Sequence, residues 1–292
     1  MSILHPRVAV AALRLLPKHT LSRLAGHAAA LRLPGVLQRL QIGVFGRAVG
    51  VDFSEARDPI ESFGSLQEFF TRALREGVRP IDTAPDAVVS PCDGSWGASG
   101  TVEADTLLQI KGSPYSLTAL LGSSVLAQVF NGGAYATFYL SPRDYHRFHM
   151  PCAARVRSAS YIPGALWPVN RIGVEGVEGL FTQNERLCAY FSVAGDPVDL
   201  ALVAVAATMV GKVHVTFDND LTTNVRGGRQ VLRSYREPIR FAKGEEWGRF
   251  QFGSTIVLVA ARSLLELDAR PSGTGVRLGE RIGRVLSPAS LG

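Results

Sequence analysis

Beyond residue 50 the hydrophobic positions follow the pattern of β-strands. Short runs of β-branched, aromatic and small apolar residues are separated by Gly or Pro, which is typical of strands joined by turns. The clearest runs are Ala134–Leu140, Arg186–Val193, Val198–Val210 and Val213–Phe217. In the run 247–260, alternation predicts one strand whose shared face is formed by Phe250, Phe252, Ser254, Ile256 and Leu258. A predominantly antiparallel β body is therefore expected over residues 51–292.

Helical patterns are few in this body. Leu66, Phe69, Phe70 and Leu74 fall on one face of a helix predicted over Ser65–Arg75. A short helical turn is predicted over Ser116–Leu121. Strands therefore dominate the expected fold.

Residues 1–50 form a separate region with helical periodicity. Pro17 and Pro34 divide it into pieces, two of which carry an apolar stripe with basic residues largely off it. The stripes are Leu21, Leu24, Ala28 and Leu31, and then Val36, Leu37, Leu40, Val44, Phe45 and Ala48. No run reaches the ~18 uncharged apolar residues that a membrane-spanning helix needs. The predicted fold class is α+β, a β body with an N-terminal amphipathic helical region.

The net charge becomes informative once it is located along the chain. The 292 residues carry a formal net charge of +6. Residues 1–50 contain seven Lys or Arg and no acidic residue, whereas the rest holds 24 basic and 25 acidic side chains. The excess lies in the amphipathic region, which disfavours a nucleic-acid-binding body and favours attachment to an anionic membrane. The alternative is that the apolar stripes pack on the body or on a partner subunit.

The cysteines predict no disulfide framework. Cys92, Cys152 and Cys188 are odd in number and form no Cys-x-x-Cys pair, so a structural zinc site is not expected either. We expect each to be a small buried hydrophobic residue in a reducing compartment.

The densest polar cluster spans residues 141–151. Ser141 and Asp144, with a proline between them, predict the start of a short helix that places His146 and His149 on one face. On a strand the two imidazoles would point to opposite sides. A zinc site is disfavoured, because metalloprotease helices use a four-residue His spacing with a glutamate between. The pair is either part of a site or a surface pair without a role.

Two further segments carry single polar residues in apolar surroundings. Asp93 lies in a Pro-Cys-Asp-Gly sequence, which first of all predicts a turn. Ser254 lies in an apolar row, where a buried hydroxyl needs a partner or marks a strand bulge. Together, Asp93, His149 and Ser254 supply an acid, a base and a hydroxyl, a combination that suits activation of a serine nucleophile. A serine hydrolase is one possibility, although the Gly-x-Ser-x-Gly elbow is absent.

These residues carry a family resemblance. The chain resembles the bacterial phosphatidylserine decarboxylases, pyruvoyl enzymes of phospholipid synthesis. The matching blocks are Arg79–Asp82, Pro91–Gly94, Tyr139–Pro151, Tyr161–Gly164, Asn184–Arg186 and Gly248–Thr255, in the family's order over most of the chain. Cys92 in place of the usual Ala, and Phe252 in place of Leu, depart from the family pattern without changing a reacting group.

The resemblance implies a proenzyme that cleaves itself between Gly253 and Ser254. The Ser254 hydroxyl would attack the Gly253 carbonyl, with His149 as the base and Asp93 orienting it. Elimination would then leave a pyruvoyl group, the covalent cofactor, derived from Ser254. The products would be a β chain, residues 1–253, and an α chain, residues 254–292.

The same resemblance implies decarboxylation of a phospholipid. The pyruvoyl group would form a Schiff base with phosphatidylserine and release CO₂, giving phosphatidylethanolamine. His146 is the candidate for handling the substrate carboxylate or returning the proton. The expected location is the cytoplasmic side of the cell membrane, with residues 1–50 bound peripherally to anionic lipid. A homodimer is expected, and neither a metal nor a nucleic acid is.

Overall fold

The structure, a computed structural model, describes residues 17–108, 113–195, 197–208, 212–225, 227–251 and 254–286. Its α-helices are α1 (Lys18–Ala30), α2 (Gly35–Val49), α3 (Leu66–Phe70), α4 (Leu117–Leu121), α5 (Ser124–Val129), α6 (Arg171–Gly176) and α7 (Leu180–Gln183). Short 3₁₀ turns occur at Phe53–Glu55 and Ile60–Ser62.

The strands make up most of the regular structure after α3. The first eight are β1 (Ala87–Val89), β2 (Gly94–Thr101), β3 (Thr106–Leu108), β4 (Pro114–Ser116), β5 (Ala134–Tyr139), β6 (Arg147–His149), β7 (Ala154–Ile162) and β8 (Arg186–Ser192). The others are β9 (Leu200–Val205), β10 (Val213–Val215), β11 (Val231–Phe241), β12 (Glu246–Phe250), β13 (Thr255–Ala260), β14 (Leu265–Leu267), β15 (Gly275–Val276) and β16 (Arg281–Val285).

An antiparallel eight-stranded sheet forms the centre of the fold, in the order β11-β7-β8-β9-β13-β5-β2-β15. Strand β13 pairs with β9 on one side and β5 on the other. Both faces of β13 are buried: Ile256 packs in the core on one face and Val257 in the core on the other. Coverage on both faces explains why this segment consists almost entirely of apolar residues.

Two layers cover the large sheet. Helices α4 to α7 pack on one face, where Leu120 and Phe181 belong to the core. The three-stranded sheets β1-β16-β14 and β10-β12-β6 pack on the other face, where Phe148, Trp247 and Phe250 join the core. The predicted α+β fold with mostly antiparallel sheets is confirmed. Within the described ranges, no helix combines the length and the apolar content needed to cross a bilayer.

Several predicted elements keep their positions but change their bounds. The strand predicted over Val198–Val210 is β9, which ends at Val205. The helix predicted over Ser65–Arg75 is α3, which Ser65 caps and which ends at Phe70. It is shorter because Leu74 instead forms an antiparallel bridge with Ala56. The short helix predicted after Ser116 is confirmed as α4.

Candidate active site

The segments that carry Asp93, the two histidines and Ser254 meet at the start of β13. The backbone N–H of Leu140 donates to the carbonyl oxygen of Ser254 (2.9 Å), which joins Ser254 to the start of the histidine segment. Strand β2 pairs with β5 next to this point, and its Gly94 lies against the Tyr139 carbonyl. The backbone N–H of His149 donates to the Pro91 carbonyl (2.7 Å), so the Asp93 loop lies beside the histidine segment.

Ser254 lies at a break between two strands. The single strand predicted over residues 247–260 is wrong, because β12 ends at Phe250 and β13 begins at Thr255 in a different sheet. The chain crosses from the small sheet to the large one between them. Ser254 is fully buried and immediately precedes the central strand, whereas Phe252 and Gly253 lie outside the described residues.

His149 is held as a neutral imidazole. Its Nδ1 donates to the carbonyl oxygen of Gly244 (2.9 Å), and the Tyr145 hydroxyl donates to its Nε2 (3.2 Å). Burial lowers the pKa of His149 below its ordinary value, although the Asp93 charge acts in the opposite direction. With the proton fixed on Nδ1, the lone pair on Nε2 is the basic position.

Asp93 is paired with an arginine rather than with His149. The Arg79 guanidinium donates from Nε to Oδ1 (2.8 Å) and from Nη2 to Oδ2 (2.6 Å), and the backbone N–H of Leu278 also donates to Oδ1 (2.9 Å). Arg79 simultaneously binds Glu55 through both terminal nitrogens. The expected hydrogen bond from His149 to Asp93 is therefore absent, because a bidentate charged pair occupies the carboxylate. The Gly244 carbonyl orients the ring, and Asp93 is one of several charged groups around His149.

His146 occupies a different environment from His149. The predicted helix at residues 141–151 is wrong: Ser141 and Asp144 form the reciprocal turn expected of a helix start, but the chain then enters strand β6. The strand follows because Phe148 packs between Trp247 and Phe250 of β12. The two imidazoles consequently have separate partners instead of sharing a helix face.

The His146 ring is fully buried and stacked on Phe70, with ring centroids 4.0 Å apart. Its Nε2 donates to the Ser141 carbonyl (3.0 Å), while Nδ1 has no hydrogen-bond partner among the described residues. Burial, reinforced by the nearby Arg72 cation, lowers the pKa of His146 to about 3. His146 is therefore a neutral hydrogen-bond acceptor at Nδ1. No group of three His, Cys, Asp or Glu side chains in the described part of the chain is arranged to hold a metal.

Three positioning groups escaped the sequence reasoning. Arg79 lies in a block that carried the resemblance, but nothing in the sequence assigns it to Asp93. Tyr145 lies within the histidine segment, but nothing in the sequence indicates that its hydroxyl contacts His149. Gly244 contributes only a backbone carbonyl, which no residue pattern reveals. The cysteines behave as expected, since Cys92, Cys152 and Cys188 are free and buried.

The outer faces of α1, α2 and the segment between them carry exposed apolar side chains, which we call the leucine face. It is made of side chains that are more than one-third exposed: Leu21, Leu24, Leu31, Leu33, Val36, Leu37, Leu40 and Val44. The opposite face of α2 packs on the body through Ile42, Gly43 and Gly46. Most of the predicted apolar stripe is therefore exposed, and packing of those residues on the body of this chain is excluded.

Comparison with known proteins places these features in a family. The model of the phosphatidylserine decarboxylase family matches residues 66–284. This chain belongs to that family. A phosphatidylserine decarboxylase proenzyme from Anaeromyxobacter sp. (strain K) is 43% identical over 96% of this chain and 99% of the relative. The proenzyme from Myxococcus xanthus is 39% identical over 93% of this chain and 96% of the relative. The one from Brevibacillus brevis is 40% identical over 91% of this chain and 92% of the relative.

The family assignment made from the sequence is confirmed, as is the classification of the chain as a decarboxylase of this family. The match includes the segments that carry Asp93, the two histidines and Ser254. The roles of these individual residues stay predictions.

Proposed function

We propose that the chain is a self-cleaving proenzyme that, once processed, converts phosphatidylserine to phosphatidylethanolamine through a pyruvoyl group derived from Ser254. The observation that carries the proposal is the position of Ser254. It is buried at the junction of β12 and β13, in backbone contact with the histidine segment and beside the loop of Asp93. A serine at a buried strand junction suits attack on its own preceding peptide bond better than attack on an external substrate.

The cleavage proceeds by an acyl shift and an elimination. The Ser254 hydroxyl attacks the Gly253 carbonyl carbon, its proton passes to Nε2 of His149, and the C–N bond breaks to leave an ester and a free amine. His149 returns the proton to the departing nitrogen as the C–N bond breaks. Loss of the Ser254 α-proton then expels the Gly253 carboxylate and leaves dehydroalanine. Water hydrolyses its imine form, releasing ammonia and the pyruvoyl group. Burial keeps His149 neutral, and the Gly244 carbonyl holds its proton on Nδ1, which together support its role as base.

The surroundings of residue 254 fit a pyruvoyl group. The hydroxyls of Thr255 and Tyr139 are buried without a hydrogen-bond partner among the described residues, so donors are available for a carbonyl oxygen. When formed, the group supplies the carbonyl that takes up the substrate amine and accepts the electron pair left by CO₂. His146 is buried and neutral, and its Nε2–H is bound to the Ser141 carbonyl. The remaining nitrogen, Nδ1, therefore supports a role for His146 as a hydrogen-bond acceptor. Return of a proton by His146 would require that bond to be released.

The leucine face supports attachment of the enzyme to the membrane that contains its substrate. Its side chains would enter the lipid while Arg32, exposed in the segment between α1 and α2, remains near anionic headgroups. Residues 1–50 are thus proposed as the membrane-associating region and residues 51–292 as the catalytic domain. The homodimer and the cytoplasmic side of the membrane stay predictions.

A denaturing gel tests the proposed function directly. We expect the purified wild-type protein to give two fragments that divide at residue 254, with a carbonyl trapped by borohydride on the shorter one. Ser254→Ala should give only the intact chain and no CO₂ from phosphatidylserine. Ser192→Ala, which removes a buried serine hydroxyl on β8, is the matched control and should still be cleaved. An intact wild-type chain that reacts with a fluorophosphonate would instead identify a serine hydrolase.

A further inference from the structure

A cavity of about 350 Å³ lies between helix α1 and the ends of β10 and β12. Helix α1 contributes Arg23 and His27 to its lining, and the body contributes Lys212, His214 and Gln251. We call it the α1 cavity. Its volume falls in the range of about 300–1,000 Å³ that is usual for small-molecule sites.

The lining of the α1 cavity is basic. It contains Arg23 and Lys212 but no acidic side chain. Neither of these cations forms an ion pair with a carboxylate in the part of the chain that the structure describes; the Arg23 guanidinium donates only to the Thr20 hydroxyl (3.4 Å). Two cations that line one cavity without a counter-charge favour an anionic ligand.

Uncharged hydrogen-bonding groups complete the lining. The side-chain nitrogen of Gln251 donates to Nε2 of His214 (3.1 Å). Burial, together with the positive charges of Arg249 and Lys212, lowers the pKa of His214. His214 is therefore neutral at neutral pH, and the positive charge of the cavity is concentrated on Arg23 and Lys212.

The α1 cavity borders both the helix that carries part of the leucine face and the residue that follows β12, three positions before Ser254. Gln251 is three residues before Ser254, and its backbone N–H donates to the Lys212 carbonyl (2.9 Å). On the other side, the same helix that supplies Arg23 exposes Leu21 and Leu24 outward. A molecule anchored in a bilayer by acyl chains and reacting at residue 254 would place the middle of its headgroup here.

We infer that the α1 cavity binds the phosphodiester of the lipid substrate, held between Arg23 and Lys212 with its amine directed toward residue 254. This inference rests on the proposed function, and it assigns the residues that would bind the phosphodiester of the substrate. The same chemistry would also accept free phosphate, so the test separates the two sources.

Binding to the uncleaved Ser254→Ala precursor tests the cavity without requiring catalysis. The probe is glycerophosphoserine, which carries the phosphodiester but no acyl chains, titrated calorimetrically against protein in neutral detergent. We expect Lys212→Ala and Arg23→Ala each to raise its Kd roughly tenfold, because each removes one charge-assisted contact. Lys212→Arg should restore binding. Arg39→Ala removes the same charge from α2 outside the cavity and should leave Kd unchanged.

Inorganic phosphate is the second probe in the same titration. Phosphate should bind at least tenfold more weakly than glycerophosphoserine. Equal affinities would make the cavity a free-phosphate site, and an equal loss in Arg39→Ala would reduce it to general surface charge; either result overturns the inference. Absence of glycerophosphoserine binding also overturns it.

The processed enzyme provides a separate measurement. Lys212→Ala should still be cleaved into two fragments, and its KM for glycerophosphoserine should rise about tenfold with little change in kcat, since the contact is remote from the reacting atoms. An unaltered KM contradicts the inference while leaving cleavage and decarboxylation intact. Loss of both fragments and activity in the wild type would instead refute the proposed function.

Discussion

At the scale of single residues, the candidate site depends on how His149 and Asp93 are held. Backbone and hydroxyl groups fix His149: the Gly244 carbonyl takes its Nδ1 proton, and Tyr145 donates to Nε2. Arg79 fixes Asp93 through paired hydrogen bonds. No hydrogen bond joins Asp93 to His149, which separates this arrangement from the hydrogen-bonded acid–base pair of a serine protease.

The lowered pKa of His149 predicts the pH dependence of self-cleavage. The base must be neutral, and burial lowers its pKa, so the neutral form persists below the ordinary value of 6.5. We expect the cleavage rate of freshly refolded precursor, followed by the appearance of the short fragment, to be half-maximal at a pH below 6.5. A half-maximum at or above 6.5 would show that His149 is not the base or is not buried during cleavage.

Removal of Arg79 should strongly destabilise the fold. Its guanidinium is only 8% exposed and separates the carboxylates of Asp93 and Glu55. Arg79→Met leaves these like charges without a counter-ion, and we expect the free energy of unfolding of the Ser254→Ala precursor to fall by about 3–5 kcal/mol. The measurement is urea denaturation.

Arg57→Met is the control for this prediction, because it breaks an exposed pair with Asp58. It should leave the urea midpoint nearly unchanged. Similar midpoints for the two variants would contradict a structural role for the Arg79 pair.

At the scale of elements, the sequence predicted the strands better than it predicted their junctions. Strand β13 is apolar throughout because it is covered on both faces, and its pattern is therefore unambiguous. The break before it was missed because Phe250 and Ile256 pack into the same core from two facing sheets. An alternating pattern gives the same signal for one continuous strand as for two strands that contribute to one core.

The histidine segment was misassigned for a related reason. Ser141 and Asp144 do form the local contacts of a helix start. Local propensity was overridden because Phe148 packs between Trp247 and Phe250, about one hundred residues further along the chain. Residue types alone could nominate Asp93, His149 and Ser254 as candidates, and their roles stay predictions. The distant groups that orient them could not be found from the sequence, since they are set by tertiary contacts.

The leucine face leads to a prediction for helix α2. Leu40 is 60% exposed, and its transfer into lipid is worth about 1.5–3 kcal/mol. We expect Leu40→Ser to weaken binding to vesicles containing anionic lipid roughly tenfold or more, measured by co-sedimentation. Val125→Ser changes a side chain that is 73% exposed on α5 and should bind like the wild type. Equal loss in both variants would exclude a specific role for the leucine face.

At the scale of the whole molecule, helix α1 connects the leucine face with the α1 cavity and with the strand end that precedes Ser254. Helix α1 exposes leucines outward, lines the α1 cavity inward and faces the strand end that leads to Ser254. The central sheet holds the residue after Ser254, since Thr255 pairs with Tyr139 of β5 on one side and with Val205 of β9 on the other. A flexible acyl-chain substrate would thus meet a rigid reaction centre.

Buried His146 should make the whole fold sensitive to acid. Its folded-state pKa is about 3 and lies below the ordinary value of 6.5, so the unfolded chain binds the extra proton between these values. The contribution of His146 to the free energy of unfolding is complete above pH 6.5. It falls as the pH decreases, by up to about 1.4 kcal/mol per pH unit. His146→Gln should reduce the slope of unfolding free energy against pH between 6 and 4, measured in urea. An unchanged slope would contradict the burial of His146.

The proposed cut falls between β12 and β13, and the short fragment that follows is interleaved with the rest. It contributes β13 to the centre of the large sheet, β15 to its edge and β16 as the partner of β1. Maturation would therefore change the folding reaction from a single-chain process into the encounter of two separate polypeptides. After complete denaturation, recovery of the mature enzyme should decline on dilution, whereas the uncut Ser254→Ala chain should refold at a rate independent of protein concentration.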